Sequence, residues 1–233
     1  MHVMVISTGG TIACTAGSDG AHVPTLSAAE LVAQSATAHE VRAVDANRID
    51  SSSATLADLD RLREAVRASL LDASVAGVVV THGTDSLAET ALGLDLVHRD
   101  PRPVILTGAM RPADDAAPDG PANLRGAIEA AARPQRAGVH IHFDGATLPA
   151  RGAMKVATTA HDAFALASPR PLPRPMPVPA APLAGLDVPI VRAWAGADGR
   201  LVEAVRDADG VILEALGSGN VSSEMGESVA ALL

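Results

Sequence analysis

The chain of 233 residues is 48% hydrophobic and 19% charged, which suits one or two globular domains with a sizeable core and excludes disorder of the whole. Its formal net charge of −9, with no basic run, excludes the electrostatic footprint of a nucleic-acid or anionic-membrane binder and favours a small polar substrate. A single cysteine, Cys14, excludes an intrachain disulfide and a cysteine metal cluster, and no apolar run reaches membrane-spanning length.

His2 to Ser7 reads as a buried strand that opens the chain directly, so no signal segment is expected and a cytoplasmic location is. Thr8 to Thr11 is the turn after it. Residues 14–25, "CTAGSDGAHVPT", are Gly-rich and polar and read as a mobile loop. Leu26 to Ser35 is a short helix. Residues 55–72 place Leu56, Leu59, Leu62, Val66 and Leu70 on one helical face, and Thr55 with Asp58 resembles a capping box. Val75 to Val80 is a second buried strand, ending in "THGTDS" ahead of a helix from about Ser86 to His98. Val104 to Leu106 is a third strand, ending in "TGAMRP"; a helix from about Pro121 to Arg133 and a fourth strand, Gly138 to Phe143, follow. Apolar strands alternating with helices predict an α/β fold with a parallel sheet covered on both faces.

Residues 169–182 hold seven of the sixteen prolines, which stiffens the segment and bars it from a helix or central strand. The expected organisation is a larger N-terminal α/β domain over 1–168, a Pro-rich linker over 169–187, and a smaller, partial C-terminal α/β domain over 188–233. Within the last, Pro189 to Ala193 and Gly210 to Leu216 read as strands. Helices are expected around Arg200 to Asp207 and from near Ser222. So small a block is marginal by itself and is expected to lean on another subunit or on chain beyond Leu233.

Ligand sites in parallel sheets lie in the loops that leave the carboxyl ends of the strands. Two such loops are rich in hydroxyls and carboxylates: Thr8-Gly9-Gly10-Thr11 and Thr81-His82-Gly83-Thr84-Asp85-Ser86. Their glycines allow backbone N–H groups to face a common crevice, as an oxyanion site requires. Their Ser and Thr residues are equally suited to tight turns and helix caps. The spacing fits neither a dinucleotide fingerprint nor a phosphate-binding loop. The chain has seventeen Arg but one Lys, Lys155, in "GAMKVATTA". Arg stays protonated, whereas Lys can release its proton and act as a base. Asp85, Lys155 and Thr84 could therefore activate a threonine nucleophile. His82 reads as a structural hydrogen-bonder. His140 and His142 share one strand face but have no carboxylate at matching spacing, so no metal is expected. Asp50-Ser51-Ser52-Ser53 suits ligand binding or capping alike. Arg111 is expected to shape its loop by pairing with Asp114, Asp115 or Asp119.

Five segments together resemble the bacterial-type L-asparaginases of the asparaginase/glutaminase amidohydrolase family: "STGGTIA" (7–13), "THGTDSLAETA" (81–91), "TGAMRP" (107–112), "DGPANL" (119–124) and "GSGN" (217–220). The resemblance implies two α/β domains joined by a linker, a homodimer or homotetramer, no cofactor, and hydrolysis of L-asparagine, with L-glutamine as a related substrate. It implies Thr11 as the nucleophile, forming an acyl-enzyme, with Thr84, Asp85 and Lys155 as the catalytic set. It further implies substrate contacts from Gly10, Ser51, Ser52, Gly83, Thr84 and Asp85, with Asn220 reaching into the partner subunit's site. Two departures from the family pattern stand out. The chain has no tyrosine, where many members carry one on the loop after the first motif, so Thr15, Ser18 or Thr25 is a candidate substitute. Members also continue past the position of Leu233, where an acidic residue completes the neighbour's site. An amino-acid-binding protein without turnover and an ammonia-supplying amidotransferase subunit are the alternatives.

Overall fold

The structure is a computed structural model that describes residues 1–133, 137–170 and 172–232. Pro171 in the expected linker and the terminal Leu233 lie outside the described residues. The chain divides into two compact units, Met1–Pro182 and Leu183–Leu233.

The first unit is an α/β domain around one six-stranded sheet. In chain order its elements are β1 (His2–Gly9), β2 (Cys14–Ala16), β3 (His22–Pro24), α1 (Ala28–Ser35), β4 (Val41–Ile49), α2 (Leu56–Ser69) and β5 (Val75–Thr81). They continue with α3 (Leu87–Asp95), β6 (Val104–Thr107), α4 (Gly120–Ala131), β7 (Val139–Phe143), β8 (Ala146–Pro149), β9 (Ala153–Lys155) and β10 (Phe164–Leu166). The sheet order is β4-β1-β5-β6-β7-β8, with every pair parallel except the antiparallel edge strand β8. The chain turns one way from β1 to reach β4 and the other way to reach β5, which makes the β1–β5 boundary the topological switch point where such sheets bind ligands.

The alternation of side chains along each strand divides the core in two. Val3, Val5, Val79 and Ile105 pack with Leu31 of α1 and with Leu124, Ala127 and Ile128 of α4. Ile6, Val78, Val80, Val104 and Leu106 face the other way, toward Leu62 and Val66 of α2 and Leu87, Ala91 and Leu94 of α3. Both sheet faces are therefore dry, which is why these strands read as unbroken apolar runs. The Thr55 capping box of α2 is made: Thr55 Oγ1 accepts from Asp58 N–H, and Asp58 Oδ2 accepts from Thr55 N–H at 2.9 Å.

Several local structures differ from the sequence expectation, and β8, β9 and β10 fall where no strand is expected. The expected mobile loop over 14–25 contains an antiparallel hairpin, β2 with β3, tied at its base by Thr25 N–H to Ala13 O at 2.9 Å. Val41–Ile49, "VRAVDANRI", is the edge strand β4; only one side of it packs, so polar residues interrupt it. The α3 helix ends at Asp95, short of the expected His98. Asp95 is buried and gathers the chain around it. Its Oδ1 accepts from Val139 N–H at 3.2 Å and from Arg174 Nε at 2.7 Å, and Arg151 lies 3.7 Å from Oδ2. Arg174 also donates to His98 O, and Val178 N–H donates to Leu96 O at 2.8 Å. Residues 174–178 are thus strapped to the end of α3.

The second unit pairs β11 (Ile190–Arg192) with β12 (Ile212–Glu214) in parallel and carries α5 (Arg200–Ala204) and α6 (Ser223–Ala230). Val191, Ala193, Ala197, Val202 and Met225 form its small core. No helix among the described residues is long and apolar enough to cross a membrane.

Replacing Asp95 with Ala leaves Arg174 without its carboxylate and Val139 N–H without its acceptor. The expected cost is about 3 kcal/mol, read as a lower urea midpoint with an unchanged slope. A wild-type midpoint would contradict the clamp.

Candidate active site

Three loops leave the carboxyl ends of β4, β1 and β5, in that spatial order. The β1 and β5 ends are laced together by Thr8 Oγ1, which donates to Thr81 O at 2.9 Å. Gly10 N–H donates to Ile49 O at 3.0 Å, which joins the β1 loop to the end of β4. Gly10 itself has φ 78°, ψ 176°, a conformation that L side chains rarely adopt. A Cβ there would overlap the backbone of Gly83, and a Cβ on Gly83 would overlap Ser51 Oγ. The three loops close up because two of them carry no side chain at the crossing, so that Gly10 lies on the Gly83 backbone and Gly83 on Ser51.

Thr11 follows as the first residue of a 3₁₀ turn, Thr11–Ala13. With Ser51, Gly83, Thr84, Asp85 and Lys155 it lines a cavity of about 240 Å³, to which Asp50, Ala109, Met110 and Thr158 also contribute. Lys155 Nζ donates to Thr84 Oγ1 and to Asp85 Oδ1, both at 2.8 Å. Thr84 is buried, whereas the Asp85 side chain is 58% exposed, so one end of this chain of contacts is dry and the other wet. Lys155 comes from β9, which pairs with β10 so that Lys155 lies opposite Phe164. Phe164 packs against Phe143 of β7 with ring centroids 5.0 Å apart and tilted by 53°; these are the only phenylalanines in the sequence. An aromatic contact of this kind, worth roughly 1 kcal/mol beyond the area it buries, anchors the hairpin that carries the lysine.

Ser51 Oγ accepts from Asp85 N–H at 3.1 Å, and Ser51 O accepts from Ser86 Oγ–H at 2.8 Å. Ser52 is exposed and does not line the cavity; its N–H is capped by Asp50 Oδ1 at 3.1 Å. Asp50-Ser51-Ser52-Ser53 thus both caps a short turn and presents Ser51. Thr15 and Thr25 hydrogen-bond each other across the β2–β3 hairpin at 2.8 Å, and neither they nor Ser18 line the cavity. Asn220 belongs to the second unit, where its N–H and C=O pair with Leu216.

The "TGAMRP" and "DGPANL" segments form one scaffold. Asp119 accepts from Met110 N–H and Arg111 N–H, each at 2.9 Å. Asn123 donates to Gly108 O at 3.1 Å and accepts from Asp144 N–H at 3.0 Å, tying the loops after β6 and β7 together. The Arg111 guanidinium donates to Ala117 O and lies 3.9 Å from Asp115, so it shapes its own loop. Asp50 lines the cavity as part of the stretch read as suited to ligand binding or capping, whereas sequence reasoning missed Ala109, Met110 and Thr158. The "TGAMRP" motif could have pointed to the first two; nothing in the residue type of Thr158 could. Among the described residues no group of three His, Cys, Asp or Glu is placed to hold a metal ion, and His142 Nδ1 meets Thr147 Oγ1 at 2.9 Å.

A sequence model of the family described as "Asparaginase, N-terminal" matches residues 2–175. A glutaminase-asparaginase of Acinetobacter glutaminasificans is 37% identical over 135 residues, 54% of this chain and 40% of that protein. Another of Pseudomonas aeruginosa is 36% identical over 174 residues, 70% of this chain and 48% of that protein. The matched stretch therefore spans less than half the length of these curated relatives. The structure superposes on the thermostable L-asparaginase from Thermococcus kodakarensis with a TM-score of 0.85 at 25% identity, covering 100% of this chain and 77% of that one.

The contact of Gly10 with Gly83 makes a direct prediction. Gly10→Ala adds a Cβ at positive φ against backbone, and strain plus overpacking should cost at least about 3 kcal/mol. Urea denaturation checks it; a loss below 1 kcal/mol (on the order of a tolerated volume-conserving swap) would mean that the loops do not meet as described.

Proposed function

Because the chain belongs to the asparaginase family, we propose that its cavity hydrolyses the side-chain amide of L-asparagine to L-aspartate and ammonia through an acyl ester on Thr11. The observation that carries this reading is Lys155 Nζ, held 2.8 Å from both Thr84 Oγ1 and Asp85 Oδ1 in the cavity that Thr11 lines.

The roles follow from the chemistry each group can perform. Thr11 Oγ attacks the amide carbon. A threonine hydroxyl is a poor nucleophile unless a base takes its proton, and the base assigned here is Lys155, reached through Thr84 Oγ1. Asp85 orients the lysine and balances its charge once protonated. The carbonyl oxygen becomes an oxyanion. Backbone N–H groups at Thr11 and Thr84, one in each of the two loops that meet at Gly10 and Gly83, are the donors assigned to it. Collapse breaks the C–N bond, and the lysine proton leaves with ammonia. Water then attacks the ester by the same route in reverse, releasing aspartate and restoring Thr11 and the base.

The α-amino and α-carboxylate groups of the substrate need a carboxylate and hydroxyl or N–H donors. The exposed face of Asp85 and the Ser51 hydroxyl have those chemistries. Ser52 is outside the cavity lining, so the reading gives the head-group contact to Ser51. Asn220 is assigned to the partner subunit's site in a homodimer or homotetramer. A location in the cytoplasm and some action on L-glutamine belong to the same reading; one methylene changes discrimination by only about 1–3 kcal/mol.

The test is ammonia release from both amides. Wild-type protein should release it from L-asparagine, Thr11→Ala should release none, and Lys155→Arg should fall by at least roughly a hundredfold, because Arg keeps its proton. Full activity in Thr11→Ala would overturn the assignment. Tight L-aspartate binding without ammonia from either amide would support a binding protein instead.

A further inference from the structure

The mechanism uses Thr84 but leaves His82, two residues before it, without a task. His82 is buried at the end of β5. Its ring is held at both nitrogens: Nδ1 lies 2.8 Å from Gly83 O, and Nε2 lies 3.2 Å from Thr90 Oγ1 on α3. A carbonyl oxygen only accepts, so Nδ1 carries the proton and Nε2 accepts from the threonine hydroxyl. Burial pushes the imidazole pKa down, against the smaller opposing effects of the Gly83 carbonyl and Glu89, which keeps the ring neutral in this tautomer.

The Gly83–Thr84 peptide is trans, so its C=O and its N–H point in opposite directions. His82 lines a separate cavity with Thr8, Glu89 and Thr90, whereas Gly83 and Thr84 line the cavity that contains Thr11. Holding the carbonyl toward the ring turns the Thr84 N–H away from it. Gly83 cannot hold this plane by itself, because a residue without Cβ has little intrinsic restraint on ψ. A residue with a Cβ is barred there by Ser51. The plane needs a tether from outside, and His82 Nδ1–H supplies it.

We propose that His82 is a positioning residue: by hydrogen-bonding Gly83 O it aims the Thr84 N–H at the oxyanion that forms when Thr11 attacks. The role rests on the amide-hydrolysis reading, but its tests separate the two. His82→Asn places an amide N–H near the Nδ1 position; His82→Leu fills the space without a donor. His82→Leu should lose roughly a hundredfold in kcat, in line with loss of an oxyanion donor, with KM within about threefold and L-aspartate binding retained. His82→Asn should recover most of the lost kcat. Wild-type kcat in His82→Leu, or no recovery in His82→Asn, overturns the proposal. A second measurement is independent of turnover. The ¹⁵N shifts of the His82 ring should report a protonated Nδ1 and a bare Nε2, and a protonated Nε2 would overturn the tether even if the wild type releases no ammonia. A wild type that releases no ammonia but shows the protonated Nδ1 would instead fail the hydrolysis reading.

Discussion

The site depends on two backbones that touch. Gly10 and Gly83 meet at the switch point between β1 and β5, where neither has room for a Cβ. That contact brings Thr11, one residue past Gly10, and Thr84, one residue past Gly83, to the walls of a single cavity. Ser51 is set by the same crossing, because it packs on Gly83 and accepts from Asp85 N–H. Adjacency of the strands alone would leave the loops a side chain apart. Glycine at both positions closes that gap, and the cost is backbone that has to be held by its surroundings. The lacing bonds from Thr8 to Thr81 O and from Gly10 to Ile49 O do that holding.

The lysine enters the site from elsewhere in the chain. Lys155 lies 70 residues or more from its partners in sequence, and it is delivered by a hairpin pinned through Phe164 to Phe143. Hydrogen bonds to Asp85 and to Thr84 place one lysine nitrogen against a carboxylate and a hydroxyl. The partial exposure of Asp85 leaves a charged edge open to a zwitterionic ligand, while burial of Thr84 keeps the hydroxyl in a dry setting. Such a division suits a site that must grip a charged head group at one end and activate a neutral hydroxyl at the other.

Much of this was legible in the sequence, for physical reasons. Parallel strands with both faces covered carry apolar runs, so Val75–Val80 and Val104–Leu106 stand out, and the helix over 55–72 announces itself by periodicity and by Thr55–Asp58. The edge strand Val41–Ile49 was silent because only one of its sides packs. The β2–β3 hairpin was hidden because a three-residue pairing in a Gly-rich stretch has no pattern of its own. Within the site, Thr11, Thr84 and Asp85 were readable from their motifs, and Lys155 from its isolation among seventeen arginines. Thr158 and the exclusion of Ser52 from the cavity were not, since they follow from how a turn folds back rather than from residue type.

The central claim is that Thr11, and no other hydroxyl lining the cavity, takes the acyl group. Acid-quenching the protein during steady-state turnover of L-asparagine and mapping its peptides by mass spectrometry tests it most directly. The account predicts an aspartyl ester on the peptide containing Thr11, localised to that residue by fragmentation. An ester localised to Thr84, Ser51 or Thr158, with Thr11 unmodified during active turnover, would contradict it.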